Sequence, residues 1–334
     1  MFCGNLGCMR ICIFGAGAIG GYVGGLLARA GGSDVSLVAR GAHLEAMKSR
    51  GLTVKQGGEQ FTVHPRVSDQ PADLGQQDVV IVTLKAHSLP AVIPQLKALA
   101  GPDTAFLFAQ NGLPWWYFYR HGGPYDGHRL SAVDPDGHLW NDLGAERALG
   151  CVVWQAAELE APGVVVHGFG DRMPVAEPSG EKTARVEALS HVLIAAGIQS
   201  PVLENLRNDL WLKLWGNLSF NPVSVLTNGT LAGIAADAGT ARVIAAMMEE
   251  AKLIAEHLGV SFPVTVEQRI AMALRVGHHK TSMLQDVEAG RPTELDAVLG
   301  VVIELGALVG CPTPILQLVY DLVKYRSNSG QYAG

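Results

Sequence analysis

The segment RICIFGAGAIGGYVGGLLARAG, residues 10–31, limits the fold more than any other part of the chain. Residues 10–14, RICIF, read as a buried strand, and a helix of small residues follows at once, to about Ala30. Between them GAGAIG, Gly15 to Gly20, has the spacing G-x-G-x-x-G. That pattern recurs by chance in glycine-rich chains. With a strand before it and a helix after it, it reads as the turn that cradles a dinucleotide. Gly15 is expected to make the tight turn, Gly17 to admit a pyrophosphate, and Gly20 to let helix and strand pack closely. Ala16, Ala18 and Ile19 complete the loop, and the helix start offers free N–H groups and partial positive charge to the phosphates.

The rest of the first half repeats the strand–helix alternation. DVSLVAR (34–40), DVVIVTLK (78–85) and TAFLFAQNG (104–112) read as strands, with GAHLEAMKSRG and LPAVIPQLKALAG as helices between them. LTVKQGGEQFTVHP reads as a hairpin about Gly57 and Gly58. Alternation of this kind implies a parallel sheet covered on both faces. Residues 113–142, beginning LPWWYFYRHGGPYDG, have no clean period and are expected to shape the mouth of a site or act as a lid. Antiparallel strands with a Pro-Gly turn at 162–163, an amphipathic helix at EKTARVEALSHVLIAAG and a short strand at IQSPVL follow. From Glu204 on the pattern is helical, broken at Asn228-Gly229, Gly259, Gly277 and Gly290. The expected organisation is an N-terminal extension (1–8), an α/β Rossmann-type domain (9–203) and an all-α domain (204–330), with a loose tail SNSGQYAG.

A formal charge of -6 argues against a nucleic-acid binder, so an anionic ligand has to be met by local donors. Five scattered cysteines make neither a zinc site nor a disulfide framework and suit a reducing cytoplasm. No uncharged apolar run is long enough for a membrane span.

Three strand ends carry candidate cofactor residues. A reader of NAD usually has an acid about 20 residues beyond the glycines to hold the ribose 2′-hydroxyl. Here LVAR ends in Arg40, and a guanidinium can grip a 2′-phosphate that an acid would repel. The reading is NADP(H), set against Arg40 as an ordinary solvated residue. Lys85 and Asn111 end two further strands, where ligands of such sheets bind, or are simply polar residues leaving the sheet.

In the helical half, WLKLWGNLSFNP places Lys213, Asn217 and Asn221 four residues apart, an arc of about 80° on a helix. A solvated stripe would mix acids with longer polar residues. Two amides flanked by aromatics, with Pro222 expected to bend or end the helix, suit a site better. A second group lies in TSMLQDVEAGRPTELD, where Ser282, Asp286 and Glu294 are of interest. Arg291-Pro292-Thr293 reads as a helix start, and Glu294 can serve the first turn simply as a dipole-stabilised acid.

Taken in order, GAGAIGGYVGGLLARAG, VIVTLKA, QNG, WLKLWGNLSFNPVSVLTNG and SMLQDVEAGRPTELD resemble the ketopantoate reductase (2-dehydropantoate 2-reductase) family from Met9 to about Arg326. The resemblance implies a Rossmann domain, a helical domain and an active site in the cleft between them. It implies NADPH, Lys213 as the catalytic lysine, Asn217 and Asn221 in the substrate pocket, and Ser282 and Glu294 on the substrate. Lys85 and Asn111 would complete the cleft from the nucleotide side. The implied substrate is a small 2-oxo acid, with no nucleic acid, membrane or metal involved and room for a homodimer. Rival readings are a β-hydroxyacid-type dehydrogenase acting on another 2-oxo acid, a non-catalytic NADP-binding sensor, and an interaction protein using the aromatic segment as its interface.

Overall fold

The computed structural model describes residues 8–328. The extension expected over residues 1–8 lies outside the described residues except for Cys8, as does the tail beyond Asn328. Ser327 and Asn328, expected in the loose tail, end the last helix. The chain forms two compact units. The first takes in the chain up to Gln110, Trp116–Arg129 and Gly137–Leu206. The second takes in Asn111–Trp115, Leu130–Asp136 and the chain from Arg207 on.

In the first unit the elements run β1 (Met9–Phe14), α1 (Ala18–Ala30), β2 (Ser33–Val38), α2 (Gly41–Arg50), β3 (Leu52–Gln56), β4 (Glu59–Val63), β5 (Arg66–Ser68), β6 (Gln77–Val82), α3 (Ile93–Ala98) and β7 (Ala100–Phe108). Then come β8 (Ala148–Cys151), β9 (Ala156–Ala161), β10 (Val164–Phe169), β11 (Val175–Ala176) and α4 (Ala184–Ala195). The main sheet has the order β11-β8-β7-β6-β1-β2-β5. It is parallel apart from β11, which pairs antiparallel with β8. Strands β1 and β6 are buried runs of Ile, Val, Cys and Phe, as a sheet covered on both faces requires.

One of those covers is itself a layer on a second sheet. The hairpin β3–β4 joins the later hairpin β9–β10 in the order β4-β3-β10-β9, with β3 and β10 parallel. Helix α1 lies between the two sheets, and its paired glycines explain how. A Cβ on Gly20 would sit 2.5 Å from the Gly15 carbonyl oxygen and 3.0 Å from Ile13, and one on Gly24 would sit 3.0 Å from Ile13. A Cβ on Gly21 would sit 2.8 Å from Val165, and one on Gly25 would sit 2.5 Å from Val54. Gly20 and Gly24 thus face the main sheet, while Gly21 and Gly25 face the second, because residues four apart share a helix face.

Three local expectations change. In LPAVIPQLKALAG only Ile93–Ala98 is α-helical; 3₁₀ turns at Ala86–Ser88 and Pro90–Val92 precede it. Pro90 and Pro94 lack the N–H groups a longer helix would need. IQSPVL contributes isolated bridges at Gln199 and Val202 in place of a strand. The aromatic segment is core: Trp115 and Trp116 are 2% exposed, and Tyr117 and Phe118 are fully buried. A Cβ on Gly150 would sit 2.5 Å from the Trp116 ring, so β8 gives up a side chain to seat that indole. Phe118 meets His121, Tyr125 and His128 ring to ring, which makes 116–129 a loop filled by its own side chains. Burial of residues 115–118 keeps these four rings from forming an exposed interface.

The second unit is helical: α5 (Leu206–Thr227), α6 (Leu231–Ala236), α7 (Ala238–His257), α8 (Val266–Val276), α9 (Ser282–Glu288), α10 (Val301–Val309) and α11 (Pro314–Asn328). A wide π-type turn, Asp296–Gly300, leads into α10. Glu250 of α7 accepts from the Ile315 and Leu316 N–H groups and so caps α11. Glu304 of α10 accepts from the Ser131 and Ala132 N–H groups and fixes the segment 130–136. Pro222 neither ends α5 nor leaves it: the helix runs on to Thr227. An interior proline costs about 3 kcal/mol. Burial of Trp211, Trp215, Leu218, Phe220, Val223 and Val225, all 3% exposed or less, offsets it. No helix of the described residues is long and apolar enough to cross a membrane.

The glycine geometry separates two substitutions three residues apart. Gly20→Ala should cost about 1–3 kcal/mol of stability through overpacking. Gly17→Ala, whose Cβ would meet only the Gly15 carbonyl oxygen at 4.0 Å, should cost no more than about 1 kcal/mol. Urea unfolding of the two variants checks the contrast.

Candidate functional site

The glycine turn is built by hydrogen bonds between the ends of neighbouring strands. Gly15 has φ +99°, and the Gly15 and Ala16 N–H groups both donate to the Val38 carbonyl at the end of β2, at 3.2 and 2.8 Å. Thr83, just past β6, donates its hydroxyl to the Gly15 carbonyl. The ends of β1, β2 and β6 are therefore locked together, at the place where the strand order turns back on itself. Ligands of open α/β sheets bind at such a point, outside the carboxyl ends of the strands.

Four details fit a dinucleotide there. The fold itself does not need a glycine at 17, so that position leaves room for a phosphate to approach the backbone. Gly17 caps α1 with no side-chain hydrogen bond, so the N–H groups of Ala18, Ile19 and Gly20 open the helix without a side-chain acceptor. Arg40 is exposed and immediately precedes α2, two residues beyond the carbonyl that pins the turn. Lys85 is half-buried and follows β6, its carbonyl accepting from the Ser88 N–H at 2.9 Å.

The helical unit gathers the other candidates. Asn111, Asn221, Ser282, Met283, Asp286, Glu294 and Val298 line one concavity. Asn111, expected on the nucleotide side as the end of a strand, lies past the end of β7 and groups with the helical unit. Its amide Nδ2 donates to Glu294 Oε2 at 3.2 Å. Gly112 makes that approach: its φ is +86°, a Cβ on it would overlap the Ala297 carbonyl oxygen, and the Leu113 N–H donates to that same oxygen at 3.1 Å. Glu294 stands just before the helix that opens with the π-type turn, its own carbonyl accepting from the Val298 N–H.

Helix α9 is placed by residues that sequence reading passed over. Thr281 caps it through the Leu284 N–H, and its hydroxyl bonds Ser224 of α5 at 3.1 Å, both side chains buried. Ser224 lies three residues, just under a turn, beyond Asn221, and Ser282 lines the concavity with that amide. The S/T-before-helix pattern was the available signal. Asp286 is 8% exposed and accepts from Arg291 Nε at 3.0 Å, while the Arg291 N–H donates to the Asp286 carbonyl, closing the turn that delivers Glu294.

Lys213 and Asn217 are half-buried on α5 and do not line this concavity. Lys213 lies about 12 Å along the helix from Asn221. The set of two amides, a hydroxyl and two carboxylates, one of them paired with Arg291, suits hydrogen bonding to carbonyl, carboxylate and hydroxyl groups of a small molecule.

Residues 11–180 match the family model described as ketopantoate reductase PanE/ApbA, and residues 205–327 match its C-terminal companion. A protein of Mesorhizobium japonicum named 2-dehydropantoate 2-reductase is 51% identical over 316 residues, covering 95% of this chain and 97% of that one. Among solved structures, one provisionally named a ketopantoate reductase, from Ralstonia solanacearum MolK2, is 40% identical with a TM-score of 0.91, covering 97% of this chain and 99% of its own. The ternary structure of D-mandelate dehydrogenase with NADH and anilino(oxo)acetate has a TM-score of 0.81, covering 96% and 99%. At 23% identity it shares the fold alone. Matched in both halves and at this identity, the chain is an oxidoreductase of the ketopantoate reductase family.

Proposed function

We propose that this chain reduces 2-dehydropantoate (ketopantoate) to pantoate with NADPH, a step of pantothenate biosynthesis in the cytoplasm. The observation that carries the reading is the concavity that gathers Asn111, Asn221, Ser282 and Glu294 in a unit whose helix α5 also bears Lys213. Family membership supports it.

Gly15 to Gly20 would hold the pyrophosphate, Lys85 the neighbouring part of the cofactor, and Arg40 the 2′-phosphate. NADPH bound there supplies the hydride. As the ketone carbon is reduced, negative charge gathers on its oxygen. The Lys213 ammonium stabilises that charge and donates the proton. Asn217 and Asn221 hydrogen-bond the substrate without drawing off the positive charge, being neutral. Glu294 accepts from the substrate hydroxyl, and the Asn111 amide that donates to one of its oxygens holds the carboxylate in place. A site built to receive a hydroxyl discriminates against acids lacking one, since the acceptor is then left unpaired.

Three measurements test this. Lys213→Ala should lower kcat at least about a hundredfold while NADPH still binds; unchanged turnover removes Lys213 from the chemistry. Arg40→Ala should weaken NADPH about tenfold or more, the loss of a charge-assisted hydrogen bond, and leave NADH unaffected. Equal effects on the two cofactors would mean that Arg40 does not read the phosphate. Glu294→Gln should lower kcat/KM for 2-dehydropantoate about tenfold more than for a 2-oxo acid without the hydroxyl. Equal losses would reduce Glu294 to a helix-start acid.

A further inference from the structure

His43, in the first turn of α2, is a half-buried ring with no part in the mechanism above. It joins two pieces of the nucleotide unit that are far apart in the chain. The Gly163 N–H, in the turn between β9 and β10, donates to His43 Nδ1 at 2.8 Å. Gly163 has φ +82°, and a Cβ on it would lie 3.0 Å from the Ala46 Cβ. The turn of the second sheet is thus pressed against α2 backbone first, and the imidazole gives that contact a directed bond.

That bond assigns the tautomer. A ring nitrogen that accepts carries no proton, so the neutral ring holds its proton on Nε2. Burial lowers the pKa of His43 and favours the neutral ring, while the Ala16 main chain acts in the other direction. A main-chain group that favours the charged ring is an acceptor facing a ring N–H, which turns Nε2–H towards the Ala16 carbonyl. Nε2 is buried, and among the described residues it makes no bond of full hydrogen-bond geometry. Gly163 is therefore the anchor, and the pull on Ala16 is electrostatic. A buried donor without a full bond costs stability, so packing alone does not explain an imidazole at this position.

Position supplies the explanation. Ala16 belongs to the glycine turn, and Arg40 stands three residues before His43. On the strand side Arg40 is well held. The Val38 carbonyl accepts from Gly15 and Ala16, and the Ala39 N–H donates to the Ser68 carbonyl at 3.2 Å. On the helix side it meets Gly41, whose φ is +58° and around which a Cβ would find nothing within 4 Å. A glycine in open space is a loose joint. The direction in which Arg40 leaves the backbone is then set by how the first turn of α2 is seated. In that turn Gly41 and Ala42 are exposed and Leu44 is buried among apolar groups. Apolar contact holds a helix against a sheet without fixing its rotation. The bond from Gly163 to His43 fixes it.

We propose that His43 is a positioning residue for the cofactor: bonded to Gly163, it seats the first turn of α2 and so aims Arg40 at the 2′-phosphate. This rests on the reading of Arg40 given above and names the residue through which the second sheet acts on cofactor choice. A guanidinium grips a phosphate with two bonds only when its plane is presented correctly, so its aim governs NADPH and leaves NADH, which has no 2′-phosphate, untouched.

Equilibrium binding of NADPH and of NADH to the full chain, followed by fluorescence without substrate, tests it. An asparagine at 43 places its amide oxygen near the position of Nδ1, whereas glutamine carries its amide one bond farther and loses the acceptor. His43→Gln should raise Kd for NADPH about tenfold, as an unpaired buried donor at Gly163 does, and change Kd for NADH by less than about twofold. His43→Asn should recover most of the NADPH affinity. In an Arg40→Ala background, His43→Gln should add less than about twofold to Kd for NADPH, because the group it aims is gone. Equal losses for the two cofactors, losses that multiply in full in the double variant, an unmoved Kd, or a His43→Gln chain that no longer folds each makes His43 an ordinary packing residue and overturns the assignment. Arg40→Ala alone tells the two readings apart: if it weakens NADPH selectively, the reading of Arg40 stands whatever His43 does, and if it weakens both cofactors equally, both readings fall.

Discussion

Helix α1 is held at backbone distance from a sheet on either side, and the nucleotide unit depends on that double contact. An ordinary helix presents one apolar stripe and buries side chains beneath it. Here two glycine pairs, 20–21 and 24–25, remove the side chains on two faces at once. Strands β1 and β2 then approach one face, and β3 and β10 the other. The close approach holds the first turn of α1 against the end of β1, where Gly15 and Ala16 are tied to β2 through Val38. Packing thus fixes the direction in which the free N–H groups point. Gly17 is the exception that makes the rule informative, because no atom of the described residues requires it to be small.

In the helical unit the corresponding constraint is α5. Its buried face, Trp211, Leu214, Trp215 and Leu218, is apolar enough to carry a proline and a glycine that would weaken a lone helix. The Trp215 indole donates to the Met248 carbonyl at 2.8 Å, so even the largest ring is tied down by more than contact. Helical rigidity matters to the chemistry. A proton donor that must meet a developing alkoxide gains most when its own position is settled before the substrate arrives.

Features written in local patterns could be read from the sequence. The glycine turn, the hairpin about Gly57-Gly58, the antiparallel pair about Gly163 and the helices from α5 to α9 follow from periodicity and punctuation over a few residues. What escaped depends on partners distant in the chain. The second sheet pairs β3 with β10 across more than a hundred residues, and no local period announces it. The aromatic segment has no period, which is why a mouth or a lid was expected of it. Its rings are buried because they fill a loop rather than a helix face. Pro222 was expected to bend or end α5, and the helix runs on to Thr227 because tertiary burial outweighs propensity. Of the site, the residue types were legible on α5, in SMLQD and in GRPTELD. The bonds that place them, Thr281 to Ser224 and Leu113 to Ala297, were not.

That last bond shows how specificity can rest on main chain alone. On the proposed reading Glu294 recognises a hydroxyl only if its carboxylate is held one way, and the amide of Asn111 donates to one of its oxygens. Asn111 in turn is a short side chain with little freedom, carried by the residue next to Gly112. The Gly112 backbone lies so close to the Ala297 carbonyl that no other residue fits, and a positive φ excludes most others again. The wide turn at Asp296–Gly300 belongs to the same device, since it contains the carbonyl that receives the Leu113 N–H. An amide suits the role better than a lysine or arginine would. It orients the carboxylate without neutralising it, so the carboxylate keeps its strength as the acceptor that the proposed function asks of it.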